Sequence, residues 1–464
     1  MGTATSQDQC KRPNILFVIS DDQSWLHTSA SGDRVVKTPS FDRVARSGVR
    51  FTHSFCCSPS CTPSRGSVLT GQHFWRLEEG ANLAGTLPKK FDIYPDMLEA
   101  AGYFVGLTGK GWAPGDFRPG GYSRNPAGAT FSSFPEFMNA RPKDKPFCFW
   151  FGSVDPHRPY KKGSGAASGM KTADVAVPPW LPDSEEICSD ILDYYFAIQR
   201  FDRNLGDILD AIEKSGELAD TMVVVTSDNG MSFPRAKTNL YDSGTRMPLA
   251  ISWLAAVPGG RVVDDFVSHA DFAPTFLEAA GLNVPATMTG RSLLPLLRSN
   301  KSGRVEPERD RVFIGRERHT RMAGGVGYPS RALRTREFLY IRNFEPDRWP
   351  AGDPPHFNDI DNQGGEHAPS KKVVLAGKDS PAYRKFYELT CAKRPAEELY
   401  DLKRDAAQRS NVAGDKRYKD AQVRLSRMMR EYLTSTNDPR FTGAPIIWDN
   451  TPFYSGRNAQ PGVK

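Results

Sequence analysis

No stretch of this 464-residue chain approaches the ~20 consecutive apolar residues that a bilayer-spanning helix needs, so no membrane span is expected. No block of like charge occurs either. The 61 Lys and Arg against 54 Asp and Glu leave a net +7 spread along the chain. That excludes the basic arms of nucleic-acid binders, and it fits an anionic ligand without requiring one. Internal repeats and low-complexity tracts are absent. Cysteine is scarce, with only Cys10, Cys56, Cys57, Cys61, Cys148, Cys188 and Cys391. Their spacing is not that of a small disulfide scaffold, and no second Cys/His pair near Cys61 stands at zinc-ligand spacing. No signal peptide is visible. Met1 to Ser6 nominally fits a myristoylation pattern, yet reads better as an added start before a mature N-terminus. The polar Ser/Gln/Asp stretch before Pro13 is what often remains once an export signal is removed, so an exported compartment is expected: periplasmic, extracellular or lysosome-like.

What is present is an ordinary globular composition, 39% apolar and 25% charged, long enough for a large core and a smaller companion unit. Asn14–Ser20, Cys148–Val154 and Met222–Thr226 are continuous apolar runs, the mark of strands buried on both faces of a mostly parallel sheet. Helical patterns cover 41–47, 95–101, 271–280 and, longest, 189–216 with Ser189 as its cap. The fold class expected is therefore α/β, a large mostly parallel sheet sandwiched by helices, over residues 1–310. Beyond a Lys/Arg/Glu/Pro-rich linker, strands near 338–341 and 398–402 and a helix over 418–433 predict a smaller C-terminal α+β subdomain, residues 311–464.

Ligands of open α/β sheets bind beyond the carboxyl ends of the strands. Asp21 and Asp22 follow the first run, and Asp228 and Asn229 follow the third. Adjacent acids repel unless a cation lies between them, and hard cations such as calcium or magnesium favour such oxygen donors. His157 follows the second run, placed to serve as acid or base. Lys110 stands at a glycine-rich turn, and Lys237 lies shortly after Asn229.

The most informative stretch is Cys61-Thr62-Pro63-Ser64-Arg65-Gly66-Ser67-Val68-Leu69-Thr70-Gly71. Pro63 suits a first helical turn and Gly71 a helix stop. Cys61 would then face free N–H groups and the positive end of the helix dipole, where an anion is stabilised, and Arg65 lies one turn on. A lone Cys before a helix is ordinarily a buried packing residue. The complete pattern C-x-P-S-R-x-x-x-L-T-G instead resembles the signature of the type I sulfatases, in the alkaline phosphatase superfamily.

That resemblance extends to Pro13-Asn14-Ile15-Leu16 with Asp21-Asp22, to Gly109-Lys110, to Ser227-Asp228-Asn229-Gly230, and to Glu398-Leu399-Tyr400-Asp401-Leu402. It implies that Cys61 is oxidised to formylglycine by a formylglycine-generating or sulfatase-maturating enzyme, and that the aldehyde hydrate is the nucleophile. The six remaining cysteines could then pair or stay reduced. It further implies that Asp21, Asp22, Asp228 and Asn229 bind calcium (magnesium being the alternative). Arg65, Lys110 and Lys237 would clamp the sulfate, and His157 would protonate the leaving group. Trp112 stands where many members carry a second histidine, which puts more of the proton traffic on His157 or places the Lys110 loop differently.

Within the family, Asp155-Pro156-His157-Arg158, Thr238-Asn239-Leu240-Tyr241, Thr289 to Pro295 and Tyr328 to Arg331 are similar to the heparan N-sulfatase branch. A sulfated saccharide of the N-sulfoglucosamine or heparan type is the substrate this implies, with Arg158, His319 and Arg331 as candidate contacts to its sugar anions. Another sulfated polysaccharide cleaved as an O-sulfate, or a phosphonate or phosphodiester of the same superfamily, are the alternatives.

Overall fold

The computed structural model describes residues 12–320, 325–360 and 367–454, so Cys10 and the first six residues discussed above lie outside the described residues. A sheet of eight strands forms the centre: β1 (Asn14–Ser20), β2 (Val49–Phe55), β3 (Phe104–Gly109), β4 (Ala129–Thr130), β5 (Phe147–Gly152), β6 (Thr221–Ser227), β7 (Arg246–Ser252) and β8 (Arg261–Ser268). Their spatial order is β4-β3-β5-β1-β6-β7-β2-β8, and β7 alone runs against its neighbours. The expectation of a mostly parallel α/β sheet holds.

β1 is buried at every residue because helices cover both faces of the sheet. Ile15, Phe17 and Ile19 pack with Val68 and Leu69 of the Cys61–Thr70 helix and with Phe272 and Phe276. Leu16 and Val18 point the other way, to Phe201, Leu205, Ile208 and Ile212 of the Glu185–Lys214 helix. This is the period-2 alternation of a strand read into two cores. The long helix starts before the expected Ser189, because the Ser184 side chain accepts the Ile187 N–H and Glu185 and Glu186 favour the first turn.

Register places the chemistry. Ser20 lies level with Ser227, and Ile19 level with Gly152, so the residues just past β1, β5 and β6 emerge together at one edge.

A second, antiparallel sheet of order β12-β11-β10-β9 is built from β9 (Arg311–Arg316), β10 (Ser330–Thr335), β11 (Phe338–Asn343) and β12 (Glu397–Asp401), with the Lys419–Ser435 helix against it. It meets the first unit through Gly315 N–H to the Cys57 carbonyl at 3.1 Å and Leu83 N–H to the Arg318 carbonyl at 3.0 Å. The six described cysteines are all buried and free, so none of them pairs with another.

Candidate active site

The Cys61–Thr70 helix is buried along its whole length although half its residues are polar. Its hydroxyls make that tolerable by finding carbonyls: Ser67 and Thr70 bond back one turn, to Pro63 and Gly66, while Ser64 donates to the Asp228 carbonyl at 2.5 Å. Gly71 ends the helix at φ +62°, where a Cβ would also strike the Met288 sulfur. Cys61 therefore sits at a rigid, electropositive helix start. Its Sγ is 3.5 Å from Asp21 Oδ1.

Carboxylate oxygens of Asp21, Asp22 and Asp228 and the Cys61 sulfur all lie within 4.8 Å of one another. Three anionic side chains brought so close are stable only with cations among them. Lys110 Nζ meets both oxygens of Asp21 at 2.8 and 2.7 Å, Lys237 Nζ meets Asp22 at 2.8 Å, and Arg65 Nε meets Asp228 at 2.8 Å. Burial alone would raise the Asp21 carboxyl; Lys110, with His157 and Arg65, instead brings it down to about 2. Burial would likewise lower Lys237, yet Asp22 holds it well above its ordinary value. Burial and Asp228 push the Cys61 thiol far up, so the encoded side chain is a neutral thiol at neutral pH and a poor nucleophile.

Local backbone aims these groups. Asp22 lies in the left-handed region at φ 72°, held there as its N–H donates to Asp228 Oδ1 at 3.1 Å and its carboxylate accepts Asn229 Nδ2 at 2.7 Å. Arg235 and Thr238 take the same unusual conformation on either side of Lys237. Gly109, at φ +76°, lets β3 pass within 2.1 Å (from a notional Cβ) of the Gly152 carbonyl, and Lys110 follows directly. The Lys110 carbonyl then accepts Arg65 Nη1 at 2.6 Å and Trp150 Nε1 at 3.1 Å. Trp150 is a positioning contact that its place inside an apolar run conceals.

Asn229 Oδ1 is buried with no donor, and so is Arg65 Nη2 with no acceptor. A naked carbonyl oxygen among three carboxylates suits a hard cation, so the residues present fit a calcium-type site. His157 stands at the rim, partly exposed: Nδ1 donates to the Arg158 carbonyl at 2.5 Å, leaving Nε2 to face Asp22 at 3.8 Å. Trp112 is fully buried in the main core; its backbone N–H donates to Asn125 Oδ1 at 3.0 Å, and its indole cannot replace a histidine as an acid.

Of the expected sugar contacts, His319 reaches the site, its Nδ1 2.8 Å from Ser60 Oγ at the cap of the Cys61 helix. Burial first, then Lys237, Arg316, His157 and Lys110, keep it neutral. Arg158 and Arg331 are placed otherwise. Arg158 is buried with its fork on Asp190 at 2.8 and 2.6 Å. Arg331 is completely buried, held by Asp438 at 2.6 Å and Glu317 at 2.8 Å. Their carboxylate partners occupy the donors that a substrate anion would use. Sequence spacing shows an Arg near a site but not the carboxylate that folding brings to it.

Two lysines and an arginine, each paired with a buried carboxylate, thus line an acidic pocket at the carboxyl edge of a doubly covered α/β sheet, the edge where ligands of such sheets bind. The sulfatase family matches residues 13–123 and 128–282, and the C-terminal domain of N-sulphoglucosamine sulphohydrolase matches 235–344. The chain belongs to the sulfatase family, and with it to the sulfate ester and sulfamate hydrolases. Human N-sulphoglucosamine sulphohydrolase is 28% identical, covering 92% of this chain and 91% of that protein. An ulvan-active sulfatase of Formosa agariphila is 27% identical over 94% of this chain and 84% of its own. Among solved structures, a protein bound to its substrate D-glucosamine-2-N,6-O-disulfate superposes with a TM-score of 0.67 at 20% identity, covering 92% of this chain and 99% of that one. The phosphonate monoester hydrolase of Agrobacterium radiobacter gives 0.64 at 19% identity, covering 92% and 95%. These two likenesses speak to the fold. Among the described residues no helix is long and apolar enough to cross a membrane.

Proposed function

We propose that this protein removes sulfate from a sulfated saccharide, with an N-sulfoglucosamine-type sugar as the favoured substrate. The observation carrying the reading is the placement of residue 61 at a buried helix start, 3.5 Å from an acidic cluster that Lys110, Lys237 and Arg65 surround. Asp21, Asp22, Asp228 and Asn229 would hold calcium. When bound, the cation and a formylglycine at position 61 supply a Lewis acid and an activated oxygen nucleophile.

The chain's own groups do the rest. Lys110, Lys237 and Arg65 fix the nonbridging sulfate oxygens, opposing charge as it builds without reorganising. The helix start directs its N–H groups to the same anion. His157 Nε2, held by the Nδ1 bond to the Arg158 carbonyl, carries the proton delivered to the departing nitrogen or oxygen. Residues 1–310 would carry this chemistry and 311–464 would shape the sugar pocket, as the Ser60–His319 contact suggests by bringing the second unit to the helix cap. A maturating enzyme is the implied partner for residue 61, and an exported compartment the implied setting.

An O-sulfatase for another polysaccharide is the second reading, favoured by the ulvan-active relative, which matches 94% of this chain. Mass spectrometry of the peptide around residue 61, followed by sulfate release from matched N- and O-sulfated sugars, tests both. Formylglycine with preference for the N-sulfated sugar supports the first reading. Preference for the O-sulfated sugars selects the second, and turnover of aryl phosphodiesters alone would sink both.

A further inference from the structure

Beside the catalytic cluster lies a second charged enclosure, a cavity of about 310 Å³ between the carboxyl edge of the large sheet and the second sheet. Its lining includes Ser24 and Met231, two residues past Asp22 and Asn229, and Arg246 at the start of β7, but not Cys61. Four arginines line it, Arg235, Arg246, Arg334 and Arg336, against a single lining carboxylate, Asp242. Asp242 is already spent on a bidentate pair with Arg334, at 2.8 Å to each nitrogen, with Arg246 further off at 3.6 Å. Arg235 donates to two carbonyls, those of Leu389 and Gln408, and lies over the Tyr241 ring at 3.8 Å, with no carboxylate hydrogen-bonded to it. Arg336 gives one nitrogen to the Asp264 carbonyl and leaves its Nε buried without an acceptor.

The decisive atom is an amide nitrogen. Gln408 is 2% exposed and lines the cavity. Its Oε1 accepts the Asp242 N–H at 2.8 Å, which fixes which end of the amide is the donor. The remaining Nε2 is buried with no partner. Donors and positive charge thus exceed acceptors in a recessed space, a state that buried polar groups rarely keep without a ligand. The field is felt next door: burial, then Arg246, Arg334 and Arg336, bring His53 down to about 3. Trp25, its ring 3.7 Å under the Arg246 guanidinium, and Trp180 give the cavity flat apolar walls.

We propose that this cavity is a second, non-catalytic oxyanion site, taking a sulfate group that Arg336 and Gln408 hold while Trp25 and Trp180 flank it. The sulfate could arrive free, as the product of hydrolysis, or carried on a sugar ring that stacks on the indoles. Nothing is transformed there, and the site does not depend on the state of residue 61.

The test uses the full chain with Cys61→Ala, so that turnover is absent. Crystals soaked in selenate are examined for anomalous signal, and thermal unfolding is followed against inorganic sulfate and against glucosamine N-sulfate. The proposal expects a selenate peak between Arg336 and Gln408. It also expects a sulfate-dependent rise in Tm that is reduced at least tenfold in sensitivity by Arg336→Ala. Gln408→Glu keeps the acceptor for Asp242 N–H and sets a carboxylate among the arginines, so it should raise Tm without sulfate and abolish the sulfate-dependent rise. At least tenfold tighter binding of the sugar than of inorganic sulfate identifies a sugar-borne group as the ligand; equal affinities identify free sulfate. A peak seen only at molar selenate, with both variants titrating like the parent, means an adventitious ion only and overturns the proposal, as does the absence of any peak. Both variants should keep the parent's turnover when Cys61 is present, so failure here is separate from failure of the sulfatase reading.

Discussion

Two clusters in this molecule bury ionic groups to the same degree and differ in whether they close. At the edge of the large sheet, Asp21, Asp22 and Asp228 face Lys110, Lys237 and Arg65. Under the second sheet, Arg331 and Arg440 face Glu317 and Asp438. Arg331 lies among the rings of Phe74, Trp75, Phe344 and Trp448, and Arg440 grips Glu317 at 2.8 and 2.6 Å. Every carboxylate of that second cluster has its guanidinium. The first cluster is balanced in charge but not in hydrogen bonds, for Asn229 Oδ1 has no donor and Arg65 Nη2 has no acceptor nearer than Asp21 Oδ1 at 3.9 Å. A closed network specifies structure; an open one of the same charge keeps room for a reaction.

The sharpest way to break the comparison is to remove one group from each. Cys61→Ala should abolish sulfate release, by about 10⁴-fold or more, since removing a nucleophile alone has this scale. Its Tm should hold within about 2 °C, because the lost sulfur makes one long contact to Asp21 and leaves only a small void. A steady-state assay beside a melting curve checks both. Arg331→Met should do the reverse. It strands Glu317 and Asp438 in a dry setting, and breaking a buried pair costs about 3 to 5 kcal/mol. Denaturant unfolding should show that loss, while turnover per folded molecule stays near the parent value.

A third experiment probes the open end. If Asp21, Asp22, Asp228 and Asn229 hold calcium, adding the ion at a hundredfold excess over its Kd should stabilise the fold by about 2.7 kcal/mol, and chelation should remove that gain. Asn229→Leu retains volume but lacks Oδ1, so its calcium-dependent rise in Tm should shrink. Arg331→Met should show the full rise from its lower baseline. An equal response in parent and Asn229→Leu would mean that the unpaired amide oxygen does not serve a cation.

Much of the open cluster was legible in the sequence because its residues sit at places that physics marks: just past buried apolar runs, or at a helix start. Asp21, Asp22, Asp228, Asn229 and His157 all follow strands whose unbroken hydrophobicity announces burial on both faces. The closed cluster was not legible. Arg331 faces Asp438 across 107 positions, and Arg158 meets Asp190 on a helix whose apolar stripe says nothing of its polar side. From sequence, an Arg beside a motif looks like a substrate contact until its carboxylate is found. Trp150 and Ser64 escaped for a related reason, since their site contacts go to the backbone carbonyls of Lys110 and Asp228.

Acid should separate the scaffold from the site by the smallest of these effects. His73 follows the Cys61–Thr70 helix and is buried; burial, then Arg76, brings its pKa down to about 3. Neutral, its Nε2 shares a hydrogen bond with the Tyr432 hydroxyl over 2.9 Å, which ties that loop to the Lys419–Ser435 helix of the second unit. In the unfolded chain the ring titrates near its ordinary pKa of about 6.5, so between about 6.5 and about 3 the unfolded state binds the extra proton. The contribution is therefore complete above pH ~6.5 and is lost progressively as pH falls, about 1 kcal/mol between pH ~7 and ~5.5. Unfolding measured at those two pH values should show a smaller drop in His73→Gln than in the parent. Gln offers Tyr432 both a donor and an acceptor and cannot titrate, so equal drops in the two proteins would place the acid sensitivity elsewhere.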